Sequence, residues 1–143
     1  MTKIQLIRQF ASAVAGERVT IARNRDVWAM DLSEDYPRLI LPPQLDVWDE
    51  GDKMFRHNFV KRCPMAQGFS HIVLTILHEV GHHFHRIEFA IQDVDEYENA
   101  KGEEHFNFPC EIVATDWAIA WLQDKAHRQL AKDFERQYFK AVR

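Results

Sequence analysis

The strongest constraint in the sequence is the pentapeptide His78-Glu79-Val80-Gly81-His82, set inside a stretch whose apolar residues recur at helical spacing. Ile72, Val73, Ile76, Leu77, Val80 and Phe84 form a wide apolar stripe behind Ser70, a candidate N-cap, so the motif is predicted to lie on a buried helix. On such a helix His78 and His82 differ by about 40° in azimuth and lie about 6 Å apart along the axis, so both imidazoles can reach one ion at about 2 Å. Glu79 projects from the adjacent flank, where its carboxylate can take a proton from water without closing the coordination sphere, and is the candidate general base. Zinc fits this pattern: it lowers the pKa of a bound water to about 7 and polarises a carbonyl, provided one position stays open. The competing reading is a solvated helix face with an accidental match. Against it, a His-Glu pair inside an apolar stripe is costly to bury without partners, and Gly81 within a helix costs about 1 kcal/mol unless close packing requires it.

The chain around this motif has 143 residues, which suits one domain, 1–143, and its 46% hydrophobic residues, with 10 Phe and 4 Trp, suffice for a core. A formal charge of −4 with no basic stripe argues against nucleic acid as a partner. Cys63 and Cys110 are too few for a disulfide scaffold, no apolar run reaches membrane-spanning length, and the N-terminal segment lacks a signal-type apolar core. The expected setting is therefore soluble and cytoplasmic, with free thiols and no membrane partner.

Residues 3–15 read as a first helix, with Thr2 as N-cap and Gly16 as its stop. Three short apolar runs, Val19 to Ala22, Val27 to Leu32 and Arg38 to Leu41, are predicted to form a small sheet, antiparallel in part. Residues 44–68 show no sustained period and read as a long irregular connection or lid, with room for a helical turn. Pro109 suits the first turn of a helix running through Leu122, and a last helix is predicted over 127–142. The expected fold class is α+β, a small sheet combined with several helices.

Candidates for the third ligand separate by geometry. His71 and His85 share a face with the motif, but residues seven apart on a helix lie about 10.5 Å apart along its axis, too far for one ion. Glu88 needs a sharp turn to come back from about 9 Å beyond His82. Glu111, arriving on a separate helix, completes a His₂Glu set with His78 and His82, and the small Ala114 and Ala118 near its face would let the two helices approach. Its competing reading is a first-turn carboxylate favoured by the helix dipole. Tyr97 and His105, from the segment between the two helices, are candidate oxyanion donors, with surface or rim packing as the alternative. Cys110 reads as a small buried thiol, or as a thiolate able to block the metal. The acidic run Asp93 to Glu98 lacks calcium-loop spacing and reads as solvated charge.

With these residues in place the chain resembles the gluzincin class of metallopeptidases, and within it the ImmA/IrrE family. That family's pattern is His-Glu-x-Gly-His followed by Glu-x-x-Ala-Asn-x-Phe-Ala. The first part is complete at His78 to His82; in the second, Glu111, Ala114 and Ala118 match, Thr115 stands where Asn is usual, and Trp117 replaces Phe. The resemblance implies a compact zincin-like domain in which a short three-stranded sheet packs on the motif helix and a second ligand helix, and a zinc-dependent peptidase acting on a protein or peptide that pairs with an edge strand along the cleft, with Arg38 to Leu41 as the candidate strand. The alternative function is a non-catalytic metal-binding regulatory protein that retains the site.

Overall fold

The computed structural model describes residues 1–23, 26–87, 97 and 99–143. Glu88 and the acidic run 93–98, Tyr97 apart, lie outside the described residues. Helix α1, Lys3–Ala15, starts with a reciprocal cap: the Thr2 hydroxyl accepts the Gln5 N–H at 3.2 Å and the Gln5 side chain accepts the Thr2 N–H at 2.7 Å. It stops at Gly16, whose φ of 73° is the left-handed conformation that favours glycine. Its inner face, Leu6, Ile7, Phe10, Ala11 and Val14, is buried.

Strands β1, Thr20–Ala22, β2, Ala29–Met30, and β3, Arg38–Ile40, form a mixed sheet in the order β1-β3-β2. β3 runs parallel to β1 and antiparallel to β2. All three expected runs therefore contribute strands, but Arg38 to Leu41 is not an edge. It is paired on both sides, so it has no free ladder for an incoming peptide; β2 is the edge beside the motif helix. The Asp31 N–H donates to the Arg38 carbonyl at 2.8 Å, so the neighbouring Met30/Leu39 pair falls in the alternate position of the antiparallel ladder and Met30 turns its backbone polar groups away from β3.

The 44–68 segment also differs from expectation. It contains helix α2, Glu50–Arg62, and a 3₁₀ turn, Pro64–Gly68. What reads as a loop-like acidic cluster is a cap: Asp49 accepts the Asp52 N–H at 2.8 Å and Asp52 accepts the Asp49 N–H at 2.9 Å. Glu50 and Asp52 in the first turn and Lys61 and Arg62 in the last complement the helix dipole.

Helix α3, His71–Phe84, carries the motif and is buried along nearly all its length. Ser70 has the extended backbone of an N-cap, but its side chain caps nothing; its N–H is taken instead by Glu135 at 2.6 Å. After the short α4, Glu103–Phe106, come α5, Pro109–Leu122, and α6, Lys125–Lys140, with Pro109 in the first turn of α5. The architecture is α+β. One core joins α1, α3, α5 and α6, where Phe10 stacks on Phe134 at 4.5 Å and meets Trp121 edge-on at 6.1 Å. α3 and α5 lie backbone to backbone at Gly81, where an added Cβ would stand 2.6 Å from the Ala114 carbonyl oxygen. This contact explains the glycine inside the motif: any side chain would force the two helices apart. Among the described residues no helix is long and apolar enough to cross a membrane.

Candidate metal centre

The approach of α3 to α5 brings His78, His82 and Glu111 together in the interior. Glu111 Oε2 lies 2.6 Å from His78 Nε2 and 3.3 Å from His82 Nε2, and the two imidazoles stand nearly perpendicular, 4.6 Å between centroids. Ligand atoms about 2 Å from one tetrahedral ion are separated by roughly 3.3 Å, so the donor set fits a zinc ion once the His78 contact opens slightly. The chemistry fits as well, with two imidazole nitrogens and one carboxylate. The fourth group, Glu79, has a carboxylate oxygen within 4.8 Å of both histidine ligand atoms. Two trios are thus conceivable, His78 and His82 with Glu79 or with Glu111. Glu111 is the better candidate because its oxygen already lies against both Nε2 atoms, whereas Glu79 is drawn to the β2 side by the Met30 N–H.

Thr115 holds the His78 ring in place. Its Oγ1 is 2.9 Å from His78 Nδ1, so an Nδ1–H can donate there and leave Nε2 free to face the centre. In sequence Thr115 is a departure from the resembled pattern; its spacing of four residues from Glu111 is the signal that it shares the ligand's helix face. Phe55 of α2 packs edge-on against His78 at 4.9 Å and walls the site on its other side.

Electrostatics set the protonation of these groups. Burial pushes the Glu111 carboxyl up, but the imidazoles around it, His78 foremost, outweigh burial and hold it well below the usual carboxylate range. The histidines respond unequally. Burial lowers the His78 pKa, whereas at His82 the hydrogen bond and charge of Glu111 overcome burial and raise it. Glu79 is pushed up to about 7, chiefly by burial and further by the Glu111 charge, with His82, the Met30 N–H and His105 opposing. A base near 7 is suited to proton transfer at neutral pH.

The remaining candidates fall in definite places. Tyr97 and His105 both line the cleft, but their polar tips are turned onto Glu111: the Tyr97 hydroxyl donates to Oε1, and His105 Nε2 lies 3.2 Å from the same atom. The expected oxyanion role would require these tips to turn from Glu111 toward the open cleft. Burial and the Glu111 charge raise the Tyr97 pKa, so the phenol stays protonated. His71 is packing, stacked on Trp48 at 3.9 Å, and His85 ends α3. Asp116 faces outward and pairs with Arg62. Cys110 is partly buried and forms no disulfide.

Above the four groups opens a cleft of about 610 Å³. Its lining includes the apolar Trp28, Met30, Met54, Phe55 and Phe106 together with Tyr97 and His105. Comparison of the chain with protein-family models, curated proteins and solved structures finds no match.

Proposed function

We propose that the chain is a zinc-dependent peptidase with a zincin-like arrangement, resembling the ImmA/IrrE family, that hydrolyses a peptide bond within a protein or peptide substrate. The observation that carries this reading is the meeting of Glu111 with both motif histidines at the base of an accessible cleft, with Glu79 beside them. His78, His82 and Glu111 would hold the ion. Zinc, when bound there, supplies a Lewis acid that acidifies water and polarises a carbonyl. Glu79 takes a proton from water at its carboxylate and, with a pKa near 7, can pass it on to the departing amine. β2 lies at the cleft as the sheet edge an extended substrate would meet. Because the Met30 N–H is engaged by Glu79, strand addition would rely on the Met30 carbonyl and on the flanking backbone.

The test is metal analysis followed by one substitution. Wild type should contain one zinc per chain, and His78→Ala should lose it. Glu79→Gln should keep the zinc while slowing hydrolysis of a sensitive peptide by about 10²–10⁴-fold. Wild-type protein without stoichiometric zinc would sink the metal reading. A biological effect that survives Glu79→Gln would instead favour a binding role without turnover.

A further inference from the structure

Glu111 meets four groups, and they divide between its two oxygens. Oε2 faces the α3 pair, His78 at 2.6 Å and His82 at 3.3 Å. Oε1 faces His105 Nε2 at 3.2 Å and accepts from the Tyr97 hydroxyl. The second pair comes from the stretch preceding α5. A carboxylate can ligate a cation through one oxygen or through both, and the choice changes the coordination number. Each carboxylate oxygen offers about two lone-pair directions, so an oxygen accepting from both Tyr97 and His105 has none left to turn toward an ion between the histidines.

The geometry points to Tyr97 and His105 as positioning residues that restrict Glu111 to ligation through Oε2, keeping the centre at three protein ligands with one position open. This rests on the metal-centre reading proposed above. The two donors are themselves braced. The Tyr97 ring lies tilted over His105 at 5.2 Å and edge-on to Phe108 at 5.3 Å, and His105 meets Phe106 edge-on at 5.3 Å. Phe108 directly precedes Pro109, so the clamp is anchored at the end of α5 that bears Glu111. Without it Glu111 is free to rotate and bring Oε1 onto the ion, filling the position that water and substrate need.

Cobalt(II) in place of zinc reads this directly, because its visible spectrum distinguishes four-coordinate from five-coordinate centres. The full-length wild type, Tyr97→Phe, His105→Leu, His105→Gln and the Tyr97→Phe/His105→Leu double variant are each titrated with cobalt, and folding of the metal-free forms is followed by circular dichroism. Wild type should show the intense bands of a four-coordinate centre. Each donor-deleting single variant should weaken them, and the double variant should convert to the weak five-coordinate spectrum, with metal affinity lowered about 10–100-fold. His105→Gln, whose amide nitrogen can still donate to Oε1, should retain the wild-type spectrum. If the double variant does not fold, the single variants decide. Unchanged spectra in the donor-deleting variants overturn the clamp while leaving the metal centre intact; a wild type that takes up no cobalt overturns both.

Discussion

A single hydroxyl orients the innermost ligand of the proposed centre. Thr115 Oγ1 is the polar neighbour of His78 Nδ1 at 2.9 Å, and Val at this position would keep the volume and remove the acceptor. Thr115→Val should weaken zinc binding by about 10–100-fold, measured by competition with a chromophoric chelator, and Thr115→Ser should retain most of the affinity. Equal affinities in all three proteins would mean that His78 is oriented by packing alone. A second residue-scale effect concerns His71, outside the centre. Burial, helped by the nearby Arg56 charge, pushes its pKa down to about 4 against the Asp52 backbone and Asp49, and its Nε2 is buried without a hydrogen-bond partner. Between pH 4 and the ordinary histidine value of 6.5 the unfolded chain binds a proton that the native chain does not, so stability rises with pH across that window and is lost as pH falls. His71→Phe, which preserves a ring against Trp48, should flatten this dependence in urea titrations at pH 4.5 and 7. A variant as acid-sensitive as wild type would place the effect elsewhere.

At the scale of elements, the α3–α5 contact decides whether the centre exists. Gly81→Ala adds a methyl group against the Ala114 backbone, which cannot step aside as a side chain could. Overpacking of this kind costs about 1–3 kcal/mol, against which the better helix propensity of alanine returns at most about 1 kcal/mol. The variant should have a lower urea midpoint and bind zinc more weakly, because the displaced helix carries Glu111; a midpoint equal to or above wild type would show that α5 moves without penalty. The same contact shows what was legible beforehand. The α3 stripe, the Pro109 start of α5 and the Gly81 anomaly are local signals, and they led to the two helices whose residues meet. Helix α2 was not legible because only Phe59 of its span is buried, leaving no apolar period, and its cap is written in two aspartates that resemble a loop. The sheet order was not legible either. Strands of two or three residues do not encode which neighbour they pair with, and so β3, expected at the edge, lies in the middle. The destination of Tyr97 and His105 depends on the path of the chain between two helices, which no periodicity records.

In the whole molecule, the core is built from residues other than those of the proposed centre. Phe10, Trp121, Phe134 and the fully buried Tyr138 close the core among α1, α5 and α6, far in kind from the polar face where His78 and His82 meet Glu111. The Tyr138 hydroxyl donates to Asp46 at 3.0 Å and Asp46 pairs with Lys3 at 3.2 Å, tying the last helix to the first without help from the centre. The metal-free chain should therefore stay folded and unfold cooperatively, unlike small domains whose only core is a metal. Its stability should still respond to zinc, because the ligands come from two helices and the binding geometry exists only in the native state. At free zinc 100 times its dissociation constant, the gain is about 2.7 kcal/mol, which for a chain of this length raises Tm by about 5–10 °C. Differential scanning calorimetry with buffered zinc and with a chelator measures it. Glu79→Gln should keep the whole shift, because that side chain is not one of the proposed ligands, whereas Glu111→Ala should lose it. An identical shift in Glu111→Ala would mean that zinc stabilises the protein from another place, and the assignment of α5 as a ligand helix would fall with it.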